Sequence, residues 1–275
     1  MKGQVIEGSS NWLDDRALTH GLGVFETMLV VEGRILSGEG HQARMREACR
    51  RLELTEPNWG LVEEKLQEAA RLGKGQAIRA RLMRTSGAGA LGELRGEGAK
   101  TILWVGPCSA PPASVTLATA PWVRNERSPL VGLKCSSYAE NLFALDRATK
   151  QLSADQLLFF NTRDEWCEAT VANVFAVVNG ELLTPPLSSG CLPGTQRERV
   201  LRMAEKEGIV CRAVTLTQEH LREVEDLFLT SATTGVVPVG RWDERAFSPS
   251  PMTRHLRDEW RREIGWISGS AIFFP

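Results

Sequence analysis

Lysine is scarce in this chain. Seven lysines stand beside 26 arginines in 275 residues, so the placement of a lysine is a question in itself. Cysteines at metal-ligand or redox spacing are missing. The six present, at 49, 108, 135, 167, 191 and 211, form no C-x-x-C and none has a histidine at ligand spacing, which excludes the common zinc modules. Cys135 adjoins Lys134, but no histidine or acid partner is implied for it as a nucleophile. No apolar run approaches the about 18 residues of a membrane helix. The opening "MKGQVIEGSSNWLDD" has no apolar core of signal-peptide length. Excess charge is missing too: the formal net charge is −1, and acids are interleaved with the arginines, so neither nucleic acid nor membrane is an expected partner. Repeats and low-complexity segments are absent. What is present, 42% hydrophobic and 24% charged residues, suits a globular protein with reduced thiols in a cytoplasm.

The patterning is mixed α and β. "VFETMLVVEGRIL" (24–36) reads as a hairpin turning at Glu32-Gly33. "HQARMREACRRL" (41–52) puts Met45, Ala48 and Leu52 on one helical face, and "LVEEKLQEAARLG" (61–73) is a second helix stopped by Gly73. "AIRARLMRT" (77–85) alternates Ile78, Ala80 and Leu82 with Arg79, Arg81 and Met83, as in a half-buried strand. Two more strands, "TILWVG" and "VTLATAP", flank the connector "CSAPPAS" (108–114). That connector marks a lobe boundary, giving a small N-terminal α+β domain over 1–115 and a larger domain over 116–275. In the second lobe, Tyr138, Leu142, Leu145, Thr149 and Leu152 share a helical face. "QLLFFN" is a strand, and "VFAVVNGELLTPP" a hairpin through Asn179-Gly180. "GTQRERVLRMAEKEG" is a helix from Gly194 to Gly208. Then "IVCRAVTLT", "QEHLREVE" and "DLFLTSATTGVVPV" read as strand, helix and strand, and "TRHLRDEWRREIG" as a final helix.

Three features can carry chemistry. Lys134 precedes a helix. Glu168 sits in the otherwise apolar or small "WCEATVANVF". Pro193-Gly194 stands directly before a helix, whose free N–H groups and dipole suit a phosphate. "TSATTG" (230–235) ends a strand with hydroxyls and a glycine, which also suits an anion. Each has a plain structural reading: a solvated lysine, a salt-bridged glutamate, an ordinary helix start, a strand-end turn.

In this order and spacing, however, the motifs resemble one family over nearly the whole chain. They are "GxFET" (Gly23–Thr27), "HxxR" (His41–Arg44), the Lys134 segment, "EATVANVF" (Glu168–Phe175), "TPPLSSGCLPGTQR" (Thr184–Arg197) and "FLTSATTGVVPV" (Phe228–Val239). The chain resembles the fold-type IV pyridoxal-phosphate enzymes: branched-chain aminotransferases, D-amino-acid aminotransferases and aminodeoxychorismate lyases. The resemblance implies an α+β fold of two lobes, an N-terminal α/β sandwich and a C-terminal pseudo-barrel carrying the cofactor lysine, assembled as a homodimer. By position Lys134 looks like the lysine that forms the Schiff base with pyridoxal 5'-phosphate, a task that needs an amine able to lose its proton and that arginine cannot perform. Glu168 matches the carboxylate on the pyridine nitrogen, Arg44 the arginine on the 5'-phosphate, and Tyr138 the tyrosine on the ring oxygen. Leu192 falls where a leucine packs on the ring. Thr195 and Gln196 fall at the phosphate-binding helix start, and Ser231 and Thr233 in the last phosphate motif. Phe25 and Arg127 are implied on the substrate side, with Arg79, Arg81 and Arg124 as further cations for substrate carboxylates. No metal is implied.

The chain departs from the family pattern at Leu22, usually Asp, at Thr195-Gln196, usually Ile/Val-Thr, and at Ala232, usually a hydroxyl. Three features resemble the lyases: the early "DDRALTHG" motif, the glycine-rich "RTSGAGALGE" (Arg84–Glu93) without an Arg-x-His carboxylate trap, and Gly235 where aminotransferases usually carry Glu. The reaction so implied converts the small amino substrate 4-amino-4-deoxychorismate to 4-aminobenzoate and pyruvate, in folate biosynthesis. The alternative is an aminotransferase for branched-chain or D-amino acids. A non-catalytic cofactor-binding protein is a third reading, against which an intact Lys134 and Glu168 argue.

Overall fold

The computed structural model describes residues 2–8, 12–73 and 76–265. They form two compact units. The first holds the described chain up to Ala110 and takes back Leu133–Tyr138 and the described residues from Ile264; the second holds Pro111–Gly132 and Ala139–Glu263. The division expected at residue 115 thus falls at 110. Lys134, expected with the C-terminal domain, clusters with the first unit because its segment is hydrogen-bonded to a strand there.

The first unit contains β1 (Lys2–Glu7), α1 (Arg16–Thr19), β2 (Gly23–Val31), β3 (Arg34–Ile35), α2 (Gly38–Arg51), α3 (Trp59–Leu72), β4 (Ile78–Thr85) and β5 (Thr101–Pro107). Its strands make an antiparallel sheet in the order β1-β5-β4-β2-β3. The helices form for local reasons. In α2, buried His41, Met45, Ala48 and Cys49 fall on one face. In α3, Asn58 caps the start by accepting from the Leu61 N–H at 3.2 Å, and Val62, Leu66 and Ala70 are buried. Those faces meet Val24, Met28, Val30, Ile78, Ala80 and Leu82 in one core. Alternation on β4 behaves as expected, so Arg79, Arg81 and Met83 belong to the opposite sheet face. Leu22 packs against the same core, which accounts physically for an apolar residue at that departure.

The second unit contains β6 (Val115–Thr119), α4 (Ala139–Gln151), β7 (Gln156–Phe160), β8 (Trp166–Ala169), β9 (Asn173–Val178), β10 (Glu181–Thr184), α5 (Thr195–Lys206), β11 (Cys211–Ala213), β12 (Val224–Ser231), β13 (Gly235–Trp242), β14 (Arg245–Ala246) and α6 (Pro251–Glu263). Its mixed sheet, the pseudo-barrel, runs β11-β10-β9-β12-β13-β6-β7-β8, with β14 on β13. Every residue of β9 is buried, because the strand serves two cores. Val174, Ala176 and Val178 face a cluster with Trp166 and Trp242. Phe175 and Val177 face the other way, with Val200 of α5 and Leu256 of α6. Phe175 stacks on Phe228, ring centres 5.0 Å apart.

Three sequence expectations change. The segment 209–217 is a strand only over Cys211–Ala213. "QEHLREVE" is a single 3-10 turn, His220–Glu223, and β12 takes over at Val224. "DLFLTSATTGVVPV" is two antiparallel strands, since Ser231 pairs with Gly235 across a reversal. The face of α4 also differs. Ala144 and Ala148 are fully buried, whereas Leu142 is 62% exposed and Tyr138 precedes the helix. Small residues let a helix lie close to a sheet, and apolar periodicity alone does not register that. None of the described helices is long and apolar enough to cross a membrane.

Gly235 has φ +64°, and a Cβ there would run into the indole of buried Trp260. Gly180 has a similar φ, +75°, but open space around it. Gly235→Ala should therefore destabilise by about 2–4 kcal/mol, strain plus overpacking, and Gly180→Ala by only about 1–2 kcal/mol. Equal losses in chemical unfolding would remove Trp260 as the reason for the glycine.

Candidate active site

In the first unit the Lys134 segment lies along the start of β2. The Phe25 N–H donates to the Lys134 carbonyl at 2.8 Å, the Ser136 N–H donates to the Gly23 carbonyl at 2.8 Å, and Val24 bridges Cys135. Ser136 Oγ donates to the Gly21 carbonyl at 2.6 Å and Ser137 Oγ at 3.1 Å. The crossing is tight: Gly21 is left-handed at φ +68°, and a Cβ on it would press on Ser137 Oγ. This pinning sets the lysine side chain over aromatic rings. Lys134 Nζ lies 4.6 Å from the ring centre of Phe25 and 5.3 Å from that of Tyr138, and the two rings meet edge to face at 5.1 Å. The Arg81 guanidinium lies over the same Phe25 ring at 4.1 Å. The structure therefore brings Phe25, Tyr138, Lys134 and Arg81 together.

The "GxFET" and "HxxR" motifs are joined by one buried carboxylate. Arg44 Nε donates to Glu26 Oε1 at 2.7 Å and Arg44 Nη2 to Oε2 at 2.5 Å, and His41 Nδ1 lies 2.7 Å from Oε2. Glu26 on β2 and His41 on α2 are each only about 1% exposed in their side chains. Burial acts to raise the Glu26 carboxyl. The charge and hydrogen bond of Arg44, with those of His41, outweigh it and hold the pKa down to about 2. The sequence reading did not find Glu26. Its signal was an acid inside an otherwise apolar strand.

In the second unit Glu168, on β8, accepts from three side- and main-chain donors. Arg124 Nη1 lies 2.5 Å from Oε1, the Leu192 N–H donates to Oε2 at 2.9 Å, and Asn173 Nδ2 is 3.5 Å from Oε2. Asn173 Nδ2 also donates to the Leu192 carbonyl at 2.9 Å. Arg124 also stacks on Phe159 at 4.1 Å, so its Nη1 serves Glu168 whatever else the guanidinium meets. Asn173 opens β9 opposite Thr230 of β12, and its Oδ1 occupies the space that a Cβ on Gly194 would need. Glycine is required there, and α5 starts at Thr195 with no side-chain cap. Gln196 Nε2 and Thr230 Oγ1 are buried without a hydrogen-bond partner among the described residues. Ser231 Oγ and Thr234 Oγ1 are 2.7 Å apart in the turn that also holds Thr233. Three separate motifs, around Glu168, Gly194 and Thr230, converge in this way through Asn173, which sequence reasoning had not singled out.

Other sequence candidates fall elsewhere. The Arg127 side chain is 82% exposed and lies 3.7 Å from Glu126, so it is not placed as a substrate residue. Arg79 is exposed. Cys135 is buried, and that burial raises its thiol pKa, so it is no nucleophile at neutral pH. All six cysteines are free.

The donor set fits pyridoxal phosphate. A carboxylate held by three donors is fixed in place to meet a ring nitrogen. The uncapped start of α5, with the orphaned Gln196 amide, is a setting for a phosphate.

Comparison with known proteins agrees. Residues 23–242 match the family model for amino-transferase class IV. A probable branched-chain-amino-acid aminotransferase of Thermotoga maritima is 38% identical over 97 residues, only 34% of this chain and 36% of that one. A bifunctional aminodeoxychorismate lyase / D-amino acid transaminase of Mycobacterium tuberculosis is 25% identical over 87% of this chain and 88% of the relative. The crystal structure of 4-amino-4-deoxychorismate lyase from Pseudomonas aeruginosa superposes with a TM-score of 0.84 at 27% identity, covering 95% of this chain and 99% of that one.

The Glu26 cluster makes a pH prediction. Because its folded pKa is below the ordinary 4.5, its stabilisation is fully present above pH about 4.5 and is lost as pH falls towards 2. Glu26→Gln should cost about 3 kcal/mol at pH 7. The gap from the parent protein should close between pH 4.5 and 2 in urea unfolding. A gap independent of pH would show that the charge is not what stabilises.

Proposed function

The chain belongs to the amino-transferase class IV family and is a pyridoxal-phosphate-dependent enzyme; from that premise we propose that it is a 4-amino-4-deoxychorismate lyase, releasing 4-aminobenzoate and pyruvate. The observation that carries the choice of reaction is at position 235. The resembling aminotransferases usually carry a glutamate there, and here the buried Trp260 indole leaves no room for any side chain.

In this reading Lys134, Tyr138, Arg44, Glu168, Leu192, Thr195, Gln196, Ser231 and Thr233 hold the cofactor. When bound, the cofactor supplies an electron sink for bonds at the substrate carbon that bears the amine. Lys134 would hold the cofactor through its Nζ, and the same amine is the group placed to take the proton from the amine-bearing carbon of the substrate. The Phe25 and Tyr138 rings seat that Nζ. Glu168, held by Arg124 and the Leu192 N–H, would be the carboxylate on the ring nitrogen. Arg44 is a phosphate ligand oriented by Glu26, whose carboxylate engages the Nε and Nη2 edge of the guanidinium. Aromatisation of the substrate ring supplies much of the driving force, so the protein's main work is positioning.

The second reading, an aminotransferase for branched-chain or D-amino acids, is favoured by the Thermotoga match and by the two activities in the name of the Mycobacterium relative. The deciding assay follows pyruvate from 4-amino-4-deoxychorismate with the purified holoenzyme. Wild type should release it, and Lys134→Ala should be slower by at least about 10²-fold. A lysine-dependent visible band without pyruvate, but with amino transfer from leucine or D-alanine, would replace the lyase with the aminotransferase. The same reading makes the protein a cytoplasmic homodimer, and light scattering should give twice the chain mass of 30.4 kDa; a monomer mass would remove that part.

A further inference from the structure

Arg81 is a half-buried arginine that makes no hydrogen bond or ion pair with any of the described residues. Several other guanidinium groups that leave the solvent are answered by partners. Arg16 donates to the carbonyls of Gly87, Ala90, Glu93 and Leu94, Arg84 to Thr55 and Thr101, Arg44 to Glu26 and Arg124 to Glu168. For Arg81 no carboxylate, carbonyl or hydroxyl lies in reach among the described residues; its contact is the face of the Phe25 ring at 4.1 Å. Burial lowers its pKa, against the influence of Tyr138, and the neighbouring charge of Arg79 lowers it further. Taking a guanidinium out of water without an anion is unfavourable, and an aromatic face returns only part of that loss.

The register explains why the charge points where it does. Arg81 pairs across the sheet with Thr27 on β2 and Trp104 on β5, and Ala80 and Leu82 on either side face the core. Its guanidinium shares the Phe25 ring with Lys134 Nζ, the ring centre lying 4.6 Å from the lysine. The Arg81 fork and the Lys134 amine are therefore held against one and the same aromatic ring.

We propose that Arg81 anchors a carboxylate of the substrate, through a two-pronged charge-assisted contact, and so selects amino substrates that carry an acid group away from the amine-bearing carbon. This rests on the reading of Lys134 as the reacting amine. An aliphatic side chain in the same place would leave the guanidinium unpaired, which disfavours it.

The test uses the holoenzyme and two probes: 4-aminobenzoate, and aniline, which lacks the carboxylate. Binding is followed by calorimetry and needs no turnover. Arg81→Gln should weaken 4-aminobenzoate by about 10- to 100-fold and leave aniline unchanged. Arg81→Lys should restore part of the loss, and Arg127→Gln should change nothing. In the pyruvate assay Arg81→Gln should raise KM more than it lowers kcat, with the Lys134-dependent visible band intact. Equal affinity of wild type and Arg81→Gln for 4-aminobenzoate, the same loss for both probes, or no binding of 4-aminobenzoate by wild type would overturn the proposal. If the 4-aminobenzoate effect appears without any pyruvate release, the anchor stands and the lyase falls. If pyruvate release and its KM survive Arg81→Gln, the lyase stands and the anchor falls.

Discussion

A carboxylate taken out of water must be answered by charge or hydrogen bonds, and each unit of this protein is arranged around one that is. In the first unit it is Glu26, held by Arg44 and His41. In the second it is Glu168, held by Arg124, the Leu192 N–H and Asn173. Breaking such a pair from one side leaves a buried charge, at a typical loss of about 3–5 kcal/mol. The partners are therefore fixed wherever the acids are fixed. A third pair, Asp15 with Lys100 at 2.9 Å and both nearly unexposed, follows the same rule beside the turn that leads to β2. Against this background an arginine without an anion, on the same ring as Lys134, is informative.

The backbone carries an equal share of the arrangement. Gly194 gives up its side chain so that Asn173 can lie against the start of α5, and Asn173 in turn bridges Glu168 and the Leu192 carbonyl. Gly21 gives up its own so that the 133–138 segment can cross the start of β2. In both places a main-chain approach closer than a Cβ permits lets separate sequence motifs share hydrogen bonds. Asn173 shows the consequence best: one side chain, placed by β9 and its pairing with Thr230, links three motifs that lie far apart in the chain.

Local pattern made much of the fold legible. Alternation in β4, the hairpin at Asn179-Gly180 and the helix opening after Gly194 each express a short-range rule, and each appears as read. The failures were long-range. The buried face of α4 is set by how closely it lies on the sheet, which favours Ala144 and Ala148 over the leucines. The reversal between β12 and β13 is carried by "ATT" before Gly235, without a proline or an Asn-Gly pair to announce it. The position of Lys134 depends on main-chain bonds to residues more than a hundred positions away, and no window of sequence contains them. The candidate site was named only by resemblance, motif by motif. What resemblance did not supply was pairing. Arg124 is 44 residues from Glu168 and looked like a free substrate cation, while Arg127, three residues on, looked equivalent and is a surface residue.

The same geometry says where substrate preference can reside. Glu168, Asn173 and Leu192 bind one another, so a change at any of them disturbs the other two. On β4 the constraint is different. Residues 78, 80 and 82 are committed to the core, and a one-residue slip would turn the arginines into it, which the pairing of eight successive residues with β2 prevents. Positions 79, 81 and 83 are then the ones that can change charge and size without repacking the unit. Position 83 lies opposite Phe25, and position 81 reaches over its ring. A strand of this kind separates two tasks: its inward residues hold the sheet to the helices, and its outward residues are left to share the face on which the Phe25 ring meets Lys134.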